Sequence, residues 1–253
     1  MQTITFVGNG NMALSIAKGL KESCKIEVVG RSFEKLEKFE KELGVDVEKA
    51  LLDGFNIEQK TVIFCVKPSN VEEVASKFTG RARVIYSVLA GTTLKKLREH
   101  LNPYALVRCM PNLAASVSKS MTTLTGDKTY KDEAKELLGA IGTTLWLESE
   151  KELDIATALA GSGPAYLALI AEALTDGAVK EGMKRADAMA VMRGLFDGFG
   201  MLIQEIHPAL LKDAVMSPGG TTAAGYGALE DSATRAACIN AIEKAHKRAK
   251  ELS

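Results

Sequence analysis

The stretch Thr3-Ile4-Thr5-Phe6-Val7-Gly8-Asn9-Gly10-Asn11-Met12-Ala13 decides how the chain must fold. A run of β-branched and aromatic residues, the composition of a strand, enters a glycine turn that opens an amphipathic helical pattern. The small residues fall at Gly8-x-Gly10-x-x-Ala13, and each has its own task. Gly8 makes the tight turn, Gly10 lets backbone N–H groups approach a pyrophosphate, and Ala13 lets the helix lie close to the strand. The helix N-terminus then faces the anion with its partial positive charge. A glycine pattern alone also fits a turn used only for packing. The strand before it, and the helix and second strand after it, favour dinucleotide binding, with cofactor contacts at Gly8, Gly10, Asn11 and Met12.

The same rhythm continues outward. Further strands are expected at 26–29, 61–66, 83–88, 104–109, 121–125 and 143–148, with helical patterns between them such as Phe33 to Leu43. Continuous apolar strands imply burial on both faces, and strand–helix alternation argues for a doubly wound α/β domain. Residues 1–150 therefore read as a Rossmann dinucleotide-binding domain. Only 45–59 lacks a clear pattern beyond a short strand and helix. After 150 the strands stop. Pro164 falls in a first helical turn with Ser162 as its expected N-cap. A second helix is expected from Asp187 to about Ile206 and a third from Ser232 onward. Residues 151–253 thus form an all-helical domain, small enough that its apolar stripes are expected to be buried in a partner subunit.

The second strand ends in Gly30-Arg31-Ser32, where an NAD site usually places an acid for the ribose 2′-OH. Arg31 and Ser32 suit a 2′-phosphate instead, so NADPH is the expected coenzyme, with NADH as the alternative. Ligands of open α/β sheets lie over the carboxyl ends of the strands. Val66, Lys67 and Pro68 in CVKPSN, and Ala90 and Gly91 in SVLAGTT, are therefore expected to line the cofactor groove. Lys67 either positions the cofactor, takes part in proton transfer or caps the helix after Pro68. Pro111 and Asn112 in RCMPN are candidates for the nicotinamide floor.

Composition narrows the partners. Lys plus Arg and Asp plus Glu number 32 each, so no net field points to nucleic acid or a membrane surface. The N-terminus has no basic segment leading an apolar one, and no uninterrupted apolar run approaches 18 residues. The four cysteines are scattered and the three histidines lie in separate segments, which argues against a metal site or a disulfide framework. A cytoplasmic protein with reduced thiols is expected.

One further stretch, Ser217-Pro218-Gly219-Gly220-Thr221-Thr222, reads on its residues alone either as a hydroxyl-capped turn between helices or as an anion-binding turn. Here the chain resembles the pyrroline-5-carboxylate reductases, along essentially its whole length. The resemblance lies in GNGNMA, VKP, RCMPN, GSGPAY (161–166) and above all SPGGTTAAGYGALE (217–230). It implies a Rossmann domain followed by a helical dimerisation domain, in a homodimer or a ring of dimers. It also implies reduction of Δ1-pyrroline-5-carboxylate to L-proline by hydride transfer from NAD(P)H. The substrate carboxylate would meet Ser217 and the backbone of Gly219, Gly220 and Thr221, and the Thr222 hydroxyl would meet the ring nitrogen. Asn56 would approach the adenosine ribose. GSGPAY would serve either as a capped linker or as part of the substrate pocket.

Overall fold

The computed structural model describes residues 1–252. The chain divides into two compact units, Met1–Ser162 together with the chain from Lys244 on, and Gly163–Glu243. The first unit holds strands β1 (Thr3–Val7), β2 (Lys25–Gly30), β3 (Glu48–Leu51), β4 (Thr61–Phe64), β5 (Val84–Ser87), β6 (Ala105–Met110), β7 (Ser120–Gly126) and β8 (Gly142–Trp146). They form one sheet in the order β3-β2-β1-β4-β5-β6-β7-β8. The strands from β1 to β6 run parallel, β7 turns antiparallel to β6, and β8 runs parallel to β7. The order 3-2-1-4-5-6 is that of a dinucleotide-binding sheet, and it reverses between β1 and β4.

Helices α1 (Asn11–Leu20), α2 (Phe33–Leu43), α3 (Val71–Ala75), α4 (Leu94–Leu101) and α5 (Lys131–Gly139) cover the sheet. Ile4 and Phe6 pack with Ile16, Leu20, Leu36 and Phe39 in one buried cluster. Val7, Val29 and Phe64 pack with Val74, Leu97 and Leu101 in another. Burial on both faces is why the central strands carry so few charges. The expected strand at 61–66 stops at Phe64, although the Cys65 N–H still donates to Val7 O at 2.8 Å. Strand β3 was legible only as an uncertain piece of 45–59. Its sequence, Glu-Lys-Ala-Leu, is that of a half-exposed edge strand, formed by pairing to β2 and not by an apolar run.

Helix α6 (Glu150–Ala156) opens on a capping box, in which Ser149 accepts from Glu152 N and Glu152 reaches back to the Ser149 N–H. A π turn, Thr157–Gly161, carries it into α7 (Gly163–Lys180), so the helix is continuous from Glu150 to Lys180. This corrects the expectation that Ser162 caps a new helix. Ser162 has helical backbone, and its N–H donates to Thr157 O at 3.2 Å, so no fresh cap is needed. The first compact unit runs on to Ser162, since α6 packs on β7 and is tied by ion pairs to β6.

The second unit continues with α8 (Arg185–Glu205), α9 (Pro208–Val215) and α10 (Thr221–Asp231); α11 (Thr234–Leu252) crosses the boundary. Helices α7 and α8 pack on each other, yet Leu167, Leu174, Leu195, Phe199 and Leu202 stay exposed. The helix from Glu150 to Lys180 is long and apolar enough to cross a membrane by length and composition, and only 11% of its most apolar stretch is buried by this chain.

Arg83 donates to both carboxylate oxygens of Glu133 at 2.9 and 2.6 Å, and the Tyr86 hydroxyl adds a third bond at 2.8 Å. The Arg83 bond, opposed by burial and aided by Tyr86, holds the Glu133 carboxyl below the usual carboxylate range. On acidification the unfolded chain takes up this proton first. The stabilisation is therefore complete above about pH 4.3 and is lost as the pH falls through the lower folded value. Urea unfolding of Glu133→Gln at pH 7 and pH 3 should show a smaller loss on acidification than the parent chain. Equal losses would mean that Glu133 does not set the acid limit.

Candidate active site

At the switch point between β1 and β4 lies a groove of about 380 Å³. Gly8 and Gly10 form one wall, Val66 and Lys67 the opposite one, and Arg31 stands at the end of β2. The two glycines are there for different reasons. Gly8 has φ +105°, and a Cβ on it would lie 2.6 Å from Cys65 O, so the fold itself demands glycine. Gly10 has an ordinary φ of −81°, and a Cβ there would meet nothing within 4 Å. Neither strain nor packing requires glycine at Gly10. Its missing side chain leaves open space at the N-terminus of α1, where no side chain caps the first N–H groups. That is the cradle a pyrophosphate needs, and the residues fit a dinucleotide. Asn11 lines the adjoining recess, while Met12 packs toward the core.

Arg31 donates to Glu73 of α3 at 3.2 Å, both side chains being half exposed. Ser32 is the N-cap position of α2 without a side-chain cap bond. Some groove residues escaped the sequence reading. Lys35 of α2 lines the groove beside Arg31, and Asn9 ties the glycine turn to α2 through a bond from its Nδ2 to Lys35 O at 3.1 Å. Asn9 is the spacer residue of the glycine pattern and Lys35 lies four residues past Arg31, and only the tertiary placement of α2 brings the two together. Lys67 is exposed at the N-cap of a short 3₁₀ turn beginning with Pro68. Cys65 is also a groove wall, and burial pushes its thiol well up, so it serves as an apolar surface and not as a nucleophile.

Other expected residues stand apart from this groove. Asn56 is exposed; its Oδ1 accepts from Glu58 N at 2.8 Å, closing a turn. Ala90 and Gly91 follow β5, with Gly91 buried at φ +64°. Pro111 is buried after β6. Both ends of the Asn112 amide are engaged: Oδ1 accepts from Ala114 N at 3.1 Å and Nδ2 donates to Ala160 O, in the π turn, at 3.0 Å.

In the second unit Ser217 to Gly220 form a turn. Gly220 N donates to Ser217 O at 3.0 Å, and Gly219 takes a left-handed φ of +71°. A Cβ on Gly220 would sit 2.5 Å from Ser217 Oγ and 3.1 Å from Ser217 O, so a side chain there would displace the Ser217 hydroxyl from its place in the turn. Gly220 is the N-cap of α10 and brings no side-chain acceptor. The N–H groups of Thr221, Thr222 and Ala223 therefore open the helix without an intrahelical partner. Thr221 and Thr222 are exposed. His207 is engaged elsewhere, capping α9 through Nδ1 at 3.3 Å from Ala209 N. Among the described residues no group of His, Cys, Asp and Glu is arranged to hold a metal.

The sheet order and its glycine cradle define a dinucleotide-binding oxidoreductase with a separate helical unit. Residues 150–252 match the family described as pyrroline-5-carboxylate reductase dimerisation, and residues 3–91 match an NADP oxidoreductase family described as coenzyme F420-dependent. A pyrroline-5-carboxylate reductase of Glycine max is 37% identical over 99% of this chain and 96% of its own length. The structure of the Coxiella burnetii reductase superposes with a TM-score of 0.84 at 32% identity, covering 99% of this chain and 98% of that one. That of Plasmodium falciparum, solved with NADP bound, gives 0.81 at 25% identity, covering 99% of each. The chain belongs to the pyrroline-5-carboxylate reductase family, as an NAD(P)H-dependent oxidoreductase that carries the family's dimerisation domain.

Proposed function

We propose that the chain reduces Δ1-pyrroline-5-carboxylate to L-proline, with NADPH as the preferred coenzyme. The observation that carries this is the uncapped start of α10 behind the Ser217–Gly220 turn, a seat for one small carboxylate. The free N–H groups of Thr221, Thr222 and Ala223 bind that carboxylate with help from the Ser217 hydroxyl, while Gly219 and Gly220 shape the turn, the Gly220 N–H being spent on Ser217 O. Thr222 holds the ring nitrogen. NAD(P)H, when bound, supplies the hydride for the C=N carbon. A protonated imine is already electrophilic, so the chain's task is mainly to orient two ligands. The placement of Lys67 beside the glycine cradle supports cofactor positioning over proton transfer. Asn112 supports the loop after β6 instead of touching the coenzyme, as its committed amide suggests.

The exposed apolar side chains of α7 and α8 favour a homodimer that covers them, with a ring of dimers as the next assembly. The four cysteines are free, which suits a soluble protein of the reducing cytoplasm.

Oxidation of NADPH, followed by its absorbance, should require pyrroline-5-carboxylate and run faster than with NADH. Arg31→Asp should raise the KM for NADPH by about tenfold or more, as for losing a charge-assisted phosphate contact, and that for NADH far less. An unchanged ratio removes Arg31 from coenzyme choice. Turnover favouring NADH keeps the reductase and discards the 2′-phosphate argument. Cofactor binding without turnover on the imine overturns the reaction itself.

A further inference from the structure

The charges around the adenosine end of the groove are not all of one sign. Arg31, the residue assigned to the 2′-phosphate, is held by the Glu73 carboxylate at 3.2 Å. Glu73 in turn approaches Lys77, which also pairs with Asp53 at 3.0 Å. The bridge therefore links the end of β2 to α3. Val74, the next residue of α3, is itself a wall of the groove, as is Asn70 just before that helix. Lys35 differs from Arg31. It lines the groove and the adjoining recess, whose walls also carry Glu34 and the Lys38–Glu42 pair, and among the described residues no ion pair holds its ammonium.

We infer that coenzyme choice is set by these three charges together, with Arg31 and Lys35 attracting the 2′-phosphate and Glu73 opposing it. The inference rests on the reading of NADPH as the preferred coenzyme. Glu73 opposes in two ways: it occupies the Arg31 guanidinium, which a phosphate must win from it, and its carboxylate adds like-charge repulsion to a dianion beside Arg31. A ribose 2′-OH meets neither cost. Because both side chains of the bridge are half exposed, the bond is weak enough for a phosphate to displace. Lys35 supplies the uncontested charge, so it carries more of the discrimination than its distance from the glycine motif would suggest. Glu73 thereby keeps NADH competitive in a groove that is otherwise built for NADPH.

The test is equilibrium binding of 2′,5′-adenosine bisphosphate and of 5′-AMP to the full-length protein, with imine-dependent NADPH and NADH turnover in parallel. Glu73→Gln should tighten the bisphosphate by about two- to fivefold, the range for a half-exposed ion pair, and leave 5′-AMP within twofold. Lys35→Gln should weaken the bisphosphate by about tenfold, as for one charged hydrogen bond, and again spare 5′-AMP. Raising the salt concentration should shrink both differences. Equal shifts for the two nucleotides, or no shift for the bisphosphate in either variant, overturn the inference. A parent chain that binds both nucleotides equally overturns the NADPH reading as well, a failure visible before any variant is made. Imine-dependent turnover with NADH confirms that each variant is folded.

Discussion

Thr222→Ala is expected to lower kcat/KM for pyrroline-5-carboxylate by about ten- to a thousandfold, the range for one positioned polar group in a transition state. The effect should fall mainly on kcat. In the proposed site the carboxylate would be bound by the N–H groups that open α10, and these remain when the hydroxyl is removed. Alanine is also the better helix former, so the variant should keep its fold. Thr222→Ser keeps an oxygen near the same place and should recover most of the loss. The prediction gains weight from the lack of an alternative group. His207 is committed to capping α9, and none of the described residues of the turn from Ser217 to Thr222 is ionisable. Steady-state kinetics on the two variants decide the point. A Thr222→Ala enzyme with unchanged constants takes Thr222 out of the site, and one with raised KM alone makes it a binding group only.

Local rules made some of this architecture legible in the sequence and hid the rest. The glycine cradle could be read because Gly8-x-Gly10-x-x-Ala13 encodes a turn, a ligand and a packing contact within six positions. Helix α2 could be read because Leu36, Phe39 and Leu43 repeat at helical spacing and Gly44 closes the helix in a left-handed conformation. Strand β3 was obscure because an edge strand derives its order from its neighbour. The π turn at Thr157–Gly161 was invisible, since Gly161, Gly163 and Pro164 look like a break and nothing local announces the bond from Asn112 to Ala160 O. Lys35 and Glu73 were missed for a related reason. Glu73 lies on α3 and meets Arg31 only through the sheet order that joins β2 to the switch point, while Lys35, four residues past Arg31, shows its place in the groove only once α2 is folded. The SPGG turn stood between these cases. Its residues announced a special backbone, but choosing an anion over a plain cap took the family resemblance.

The other large effect is on stability and centres on Arg108. This side chain is 1% exposed within β6, with Nη1 bonded to Glu150 at 2.8 Å and Nη2 to Asp154 at 3.0 Å. The same Glu150 oxygen accepts the Leu94 N–H at 2.8 Å, placing a carboxylate at the N-terminus of α4, where the helix dipole favours it. Three elements, β6, α4 and α6, are thus joined through Glu150, the partner of the buried guanidinium. Removing one member of such a set leaves charges without a partner, which costs about 3–5 kcal/mol, and the partial exposure of Glu150 favours the lower end. Arg108→Met should therefore lower Tm by roughly 6–12 °C at equal protein concentration. The triple variant Arg108→Met, Glu150→Gln, Asp154→Asn should recover more than half of the loss, because no charge is then stranded while the glutamine still accepts from Leu94 N. If the triple variant were no more stable than the single one, packing around β6 and not electrostatics would be the source of the cost. A single variant costing under about 1 kcal/mol would show that water screens the cluster as it does a surface pair. The same variants bear on function, since Arg108 stands just before Pro111 and Asn112, and Asn112 holds the π turn by its bond to Ala160 O. Loosening the end of β6 should thus reduce kcat/KM in the single variant and restore it in the triple, in step with stability.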